Sequence, residues 1–177
     1  MRIIAGTWRG RRLKAVRGRD VRPTSGRVRE AWMSALGGDL TGLEFADLFA
    51  GSGALGLEAL SRGAARAVFV EKARGALRVL EANIALLGCG DRATVIRGDA
   101  LVWAEGHEAD TFDVALADPP YDRGWAGRLL ELFHRHPFAR ELWVEHRSGE
   151  PLPDLPGLRS RRYGDTTLTT LARRASE

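Results

Sequence analysis

Beyond residue 44 the chain alternates short, continuous apolar runs with stretches whose apolar positions recur every three or four residues. The runs FADLF (45–49), AVFVE (67–71), ATVIRG (93–98), FDVALAD (112–118) and ELWVEH (141–146) predict strands buried on both faces. Residues 54–63, 73–88 and 124–136 predict amphipathic helices between them, with Gly63 and Gly88 placed as C-terminal stops. Strand and helix in alternation imply right-handed crossovers and a parallel sheet with helices on both sides. The predicted fold class is α/β, a doubly wound, Rossmann-like sheet.

Both ends depart from this rhythm. GLRSRRYG and TTLTTLARR are alternating segments around Gly164 and Asp165, which predicts a closing antiparallel hairpin. At the start, RIIAGTWRGRRLKA predicts a small hairpin turning near Trp8 to Gly10, followed by an irregular basic loop. SGRVREAWMSALGG then predicts an amphipathic helix with Ser25 as N-cap and Val28, Ala31, Trp32 and Leu36 on one face. PLPDLPG (151–157) is a proline-rich loop too short to separate domains.

Composition sets the scale. The 177 residues, 44% hydrophobic and 28% charged, suffice for one globular domain, in which residues 1–40 are expected to be an extension of the body at 41–177. No apolar stretch reaches membrane-spanning length and the start lacks a signal-peptide pattern, so a cytosolic location away from membranes is expected. Cys89, the only cysteine, is expected to be a small packing residue. His107, His134, His136 and His146 lack metal-ligand spacing, so no metal site is expected.

Charge changes the picture more. The net charge of +4 is segregated: residues 1–40 hold ten arginines and lysines against Asp20, Glu30 and Asp39. A basic end on a mildly acidic body is the electrostatic footprint of a polyanion-binding protein. Genome composition would explain the preference for arginine, lysine being confined to positions 14 and 72, but not the segregation.

The chemistry concentrates after the predicted strands. In DLFAGSGALGLEAL (47–60), Gly51, Gly53 and Gly56 have the spacing G-x-G-x-x-G between a strand and a helix. Such glycines let backbone approach a ligand at a helix N-terminus. Glu71 ends the next strand 20 residues after Gly51, where a carboxylate can accept ribose hydroxyls. Up to that point a dinucleotide site fits equally well. Asp47 before the loop would repel a pyrophosphate but suit a cationic amino group, and Asp99 after the third strand could accept an adenine amine. Acidic groups after three successive strands suit S-adenosylmethionine, an amino acid and a nucleoside without phosphate.

The fourth strand ends in Asp118-Pro119-Pro120-Tyr121. Consecutive prolines stiffen the backbone and offer carbonyls without N–H groups, while the tyrosine adds a flat face. Acceptors plus a stacking ring suit the exocyclic amine of a nucleobase: Asp118 and the Pro119 carbonyl take its two hydrogens, and Tyr121 holds the base plane. Because that lone pair is spread into the ring, acceptors on the hydrogens favour the pyramidal, nucleophilic form.

With these residues in view, the whole chain resembles the RsmD family, bacterial methyltransferases that modify the N2 amine of one guanine in 16S ribosomal RNA. The resemblance lies in RIIAG..RGRRL at the start, RPTSGRVREA (22–31), DLFAGSGALGLEALSRGA (47–64), VFVEK (68–72), DPPY (118–121) and YGDTTL (163–168). The glycine loop and DPPY are shared by many methyltransferases, so the N-terminal motifs and the long middle one carry the family assignment. The chain departs at Met33-Ser34, where relatives more often have Phe-Asn, and at Trp103, which is bulkier than expected.

The resemblance implies that Asp47, Phe49, Ala50, Gly51, Ser52, Gly53, Glu71, Lys72, Asp99, Ala100 and Asp118 bind S-adenosylmethionine. Asp118, Pro119, Pro120 and Tyr121 would hold the target guanine. Arg22, Pro23, Thr24, Ser25 and Arg27 would lie over the site, and Arg9, Arg11 and Arg12 would meet rRNA phosphates. The expected partner is 16S rRNA in the small ribosomal subunit or an assembly intermediate, with the enzyme acting as a monomer.

Three competitors remain. A DNA amino-methyltransferase shares the glycine loop and DPPY, but normally needs a domain to read a duplex and flip a base, and neither the basic start nor the region after Tyr121 looks large enough. A binding-only protein of the same fold would not need intact DPPY with all three acidic positions. An NAD oxidoreductase would need acid-base equipment that has no counterpart here.

Overall fold

The computed structural model describes residues 1–16, 26–108 and 111–173. Helix α1 (Gly26–Ala35) precedes β1 (Glu44–Leu48), α2 (Ala54–Ser61), β2 (Arg66–Glu71), α3 (Arg74–Leu87), β3 (Ala93–Arg97) and α4 (Ala100–Glu105). Then follow β4 (Val114–Ala117), α5 (Trp125–Arg135), β5 (Glu141–Arg147), β6 (Arg159–Tyr163) and β7 (Thr166–Ala172). The strands form one sheet in the order β3-β2-β1-β4-β5-β7-β6. The first five are parallel, as the alternation requires, and β7 runs antiparallel between β5 and β6.

Period-two alternation divides the strand residues between two cores. Phe45, Phe69, Leu116 and Trp143 face α1, α2, α3 and the first residues of the chain. Ala46, Val70, Ala117 and Val144 face α4 and α5. Ile3, Leu13, Trp32 and Met33 are buried in the first of these clusters, so the basic extension packs into the same core as the sheet. Met33 is fully buried and Ser34 exposed, which gives the two departing positions a packing role and a solvent-facing one.

Two expectations are corrected. Strand β3 is not buried on both faces: it is the sheet edge, and Thr94 and Arg97 are exposed. Residues 100–105, assigned no element from the sequence, form α4, with the Asp99 side chain accepting the Leu101 N–H at 3.0 Å as its N-cap. The initial hairpin is present as a small one: Arg2 and Arg12 form an antiparallel bridge, and the chain turns through residues 7–10. Trp103 finds its partners in His107, 3.9 Å between ring centroids, and Phe112, 5.6 Å away. Cys89 is buried, in keeping with a packing role.

Candidate active site

Strands β1 and β4 lie side by side, but their connections leave in opposite directions, to β2 and to β5. A crevice therefore opens at their carboxyl ends, the position where α/β sheets of this type bind ligands. Each predicted acidic residue belongs to the end of one strand at this edge: Asp47 in β1, Glu71 in β2, Asp99 after β3 and Asp118 after β4.

The glycine loop turns through Phe49, whose φ of 61° is sterically costly for an aromatic residue, and through Gly51 and Gly53 at φ 57° and 81°. The three glycines serve different ends. A Cβ on Gly51 would have only the Phe49 carbonyl oxygen nearby, at 3.9 Å, so this backbone is open to a ligand. A Cβ on Gly53 would lie 2.4 Å from Leu80 Cδ1, and one on Gly56 2.4 Å from Phe69 Cε1, so these two permit close packing of α2. The Gly51 cradle is the observation that fits a cofactor pressed against the loop.

Asp47 is not presented in the crevice as expected. Alternation along β1 turns its side chain under α2, where it is 1% exposed and accepts the Gly56 N–H at 2.9 Å. Burial drives its carboxyl well above the ordinary range, against the pull of that hydrogen bond, and the charges of Asp118 and Glu71 push the same way. Ionising this carboxyl, directly beneath the loop, is therefore costly.

Glu71 clamps the loop. Its Oε2 accepts the Gly51 N–H at 2.9 Å, and its Oε1 accepts the N–H groups of Lys72 and Ala73 at 2.9 and 2.8 Å. Of about four acceptor positions on a carboxylate, three are used, and the remaining one is on Oε2, beside the loop. Asp99 pairs with Lys72 Nζ at 3.3 Å. Burial opposes its ionisation, but the Leu101 N–H and Lys72 outweigh it and hold its pKa below the usual carboxylate value.

Trp125 is the residue that the sequence did not single out. The Lys72 ammonium lies 5.2 Å from its ring centroid, and the Phe49 ring is 5.6 Å away at 57°. The Arg128 guanidinium lies 5.3 Å from the same ring. Trp125 opens α5 and joins the ends of β1 and β2 in one aromatic and cationic wall. Its only sequence signal was a tryptophan at the first helical position after DPPYDRG.

Tyr121 is fixed by its hydroxyl, which donates to Glu145 Oε1 on β5 at 2.6 Å and lies 3.1 Å from Thr166 Oγ1 on β7. Burial and the Glu145 carboxylate both raise the phenol pKa far above its ordinary value, so the ring remains neutral. Glu145 is itself 3% exposed. The Arg147 guanidinium lies 6.0 Å from the Tyr121 ring centroid and pairs with Asp122 at 3.0 Å.

The expected RNA-binding residues are divided. Arg9, Arg11 and Arg12 are exposed, but the hairpin sits over the far end of α2, where Thr7 N–H donates to the Ser61 carbonyl. Arg11 donates to the Leu86 carbonyl at 2.8 Å, at the end of α3. An open concavity of about 370 Å³ beside Gly6, Asp39, Ser61 and Arg62 lies at this same end, away from the carboxylates. The following segment returns to the crevice: Asn83 holds Lys14 by both backbone groups and donates to the Ser52 carbonyl at 2.9 Å. Arg22, Pro23, Thr24, Ser25 and the side chain of Arg27 lie outside the described residues. Among the described residues no histidine, cysteine or carboxylate cluster has the geometry of a metal site.

In a dinucleotide fold the sixth parallel strand would follow β5; here an antiparallel β7 takes that place. Fold and site are together those of a Rossmann-like methyltransferase. The family model Conserved hypothetical protein 95 matches residues 1–172. Ribosomal RNA small subunit methyltransferase D of Escherichia coli (strain K12) is 35% identical over 159 residues, 88% of this chain and 79% of that protein. YlbH of Bacillus subtilis (strain 168) is 34% identical across 98% of this chain and all of its own length. The solved structure of yhhF from Escherichia coli superposes with a TM-score of 0.83, at 33% identity, covering 99% of both chains. An RNA methyltransferase from Salinibacter ruber, solved with S-adenosyl-L-homocysteine, shares the fold at a TM-score of 0.67 and 17% identity, over 88% of this chain and 96% of its own. The chain belongs to the ribosomal RNA small subunit methyltransferase D family, the RsmD family.

Proposed function

We propose that this protein transfers a methyl group from S-adenosylmethionine to the exocyclic N2 amine of a guanine in 16S rRNA, within an assembled or partly assembled small subunit. The observation that carries the proposal is Asp118-Pro119-Pro120-Tyr121 at the β1/β4 crevice, its tyrosine locked by Glu145 and Thr166. The family relationship supports the rRNA substrate, and the S-adenosyl-L-homocysteine bound by the fold neighbour supports the cofactor.

The cofactor, when bound, supplies an electrophilic methyl group. Gly51 admits it against the loop, Glu71 Oε2 has an acceptor position for a ribose hydroxyl, and Asp99 accepts the adenine amine. Lys72 and Trp125 form the wall beside that base. Asp47 keeps the loop in place through the Gly56 N–H, and a cationic amino group above it would favour its ionised form.

Asp118 and the Pro119 carbonyl accept the two hydrogens of the guanine amine and favour its pyramidal form. Tyr121 contributes a ring face whose angle is set from its hydroxyl end, so the base is oriented before it reacts. Orientation of this kind supplies roughly 7–11 kcal/mol relative to a bimolecular encounter. Asp118 need not be a strong base, because the amine loses its proton readily once methylated and water can take it.

The test is a split between binding and transfer. Asp118→Ala is expected to bind S-adenosylmethionine within a few-fold of wild type by calorimetry while methyl transfer falls by roughly 10²–10⁴-fold. Equal loss of both would remove Asp118 from the acceptor site.

A further inference from the structure

The cross-strand register puts a row of side chains on one face of the sheet beside Tyr121. Residues directly opposite one another in paired strands share a face, so Arg147, Thr166 and Tyr163 lie together, as do Glu145, Leu168 and Arg161, and Trp143, Thr170 and Arg159. Alternate residues along each strand share that face, so all nine belong to it. Glu145 and Thr166, the two groups that hold the Tyr121 hydroxyl, are members of this row.

Strand β6 is the edge of the sheet, and Arg159 and Arg161 on it are exposed. The Arg161 guanidinium lies 5.7 Å from the Tyr163 ring centroid, repeating two strands further out the placement of Arg147 on Tyr121. Two arginines thus rest on two tyrosines side by side, and Arg159 continues the line down β6. From Arg147 through Tyr163 to Arg159 the row runs about 13 Å along the strand, at about 3.3 Å per residue. Charged residues also protect an edge strand from pairing with another chain, but any charge on either face meets that need. It does not require cations aligned with the tyrosine of the acceptor motif.

We propose that Arg147, Arg161 and Arg159 form a phosphate track for the RNA strand carrying the target base, leading it across the β5–β7–β6 edge into Tyr121. This rests on the rRNA methyltransferase reading above. It differs from the basic N-terminal hairpin, which sits at the opposite end of α2. Arg147 gives its Nε to Asp122 at 3.0 Å, which leaves its terminal N–H groups for a phosphate, and a guanidinium held over an aromatic ring is preoriented for the bidentate geometry that phosphate oxygens take up.

The experiment compares wild type, Arg159→Ala/Arg161→Ala, Arg159→Lys/Arg161→Lys and Arg135→Ala on small subunits from a strain lacking the gene. Arg135, at the far end of α5 on the opposite side of the sheet, controls for net charge. Removing two phosphate contacts should lower the slope of log affinity against log salt by about 1.4, at about 0.7 per contact on single-stranded nucleic acid. It should also raise KM for the subunit with kcat kept. The lysine pair should retain most of the slope, and Arg135→Ala all of it. Hydroxyl-radical footprinting should show backbone protections on 16S rRNA that the double alanine variant loses.

An unchanged slope in the double alanine variant overturns the track. So does weakened binding with an unchanged RNA footprint, which would assign the row to a ribosomal protein. Should the alanine pair fail to fold, a lysine pair whose footprint lacks the wild-type protections, or whose slope matches no charged contact, overturns it equally. Failure of wild type to methylate the subunits would instead refute the rRNA reading, and so the two failures are distinguishable.

Discussion

At the residue scale the site is built around a carboxylate in an unfavourable place. Asp47 is buried under α2 with its pKa raised well above the usual range, chiefly by desolvation. A carboxyl whose folded pKa lies above its unfolded value of about 3.9 makes folding less favourable at any pH where the unfolded chain is ionised. Below that pH both states carry the proton and the cost disappears. Asp47→Asn keeps an acceptor for the Gly56 N–H and should therefore be more stable than wild type at pH 7, with the gain vanishing near pH 3. Thermal melts at the two pH values check this, and calorimetry should show weakened cofactor binding in the same variant. Trp125→Ala should also weaken cofactor binding, by about 1–3 kcal/mol if the ring stacks on adenine, with Trp125→Phe close to wild type. Asp47 was legible as a member of the acidic strand-end set because acids recur after successive strands; that it points beneath the loop follows only from its phase in β1. Trp125 was not legible, since a tryptophan in an amphipathic helix usually signals core packing.

At the level of elements, α2 explains how the basic extension is joined to the body. Seven of its eight residues are buried, as expected of a helix covered on all sides. Its one acidic residue, Glu58, is fully buried and accepts the N–H groups of Ile4 and Ala5 at 2.8 and 3.0 Å and Arg62 Nε at 3.0 Å. Arg29 of α1 lies 3.8 Å from the same carboxylate and donates to the Arg2 carbonyl. One side chain thus ties the N-terminal segment, α1 and α2 together. Removing one member of a buried charged network leaves the others uncompensated, so Glu58→Ala should cost about 3–5 kcal/mol, read from urea unfolding. Glu58→Gln, which keeps a carbonyl for one of these donors, should lose less. The sequence pattern located α2 to within two residues, yet showed Glu58 as an ordinary polar position paired at most with Arg62, because its other partners come from residues 4, 5 and 29. Helix α4 was missed for a different reason: six residues are too few for a helical period to emerge, and the sign that remained was Asp99 as a cap.

For the molecule as a whole, strand order places the carboxylate-lined crevice at one edge and the basic hairpin about 12 Å away, the length of an eight-residue helix. An RNA that touches Arg9 and Arg12 while offering a base to Asp118 must extend across that distance. Replacing Arg9 and Arg12 with Ala should flatten the salt dependence of subunit binding by about one unit per lost phosphate contact. The parallel core was legible because its strands are continuous apolar runs with glycines at the turns. The position of β7 inside the sheet was not, since a terminal hairpin could add to either side of itself; burial of Leu168 and Leu171 on its two faces settles the order. The central claim is the acceptor atom, and one measurement reaches it directly: transfer of labelled methyl from S-adenosylmethionine to small subunits from a strain lacking the gene, followed by nucleoside analysis. N2-methylguanosine at a single position, absent with Asp118→Ala, is the predicted result; label on adenine or cytosine, or on guanine at another atom, would contradict it.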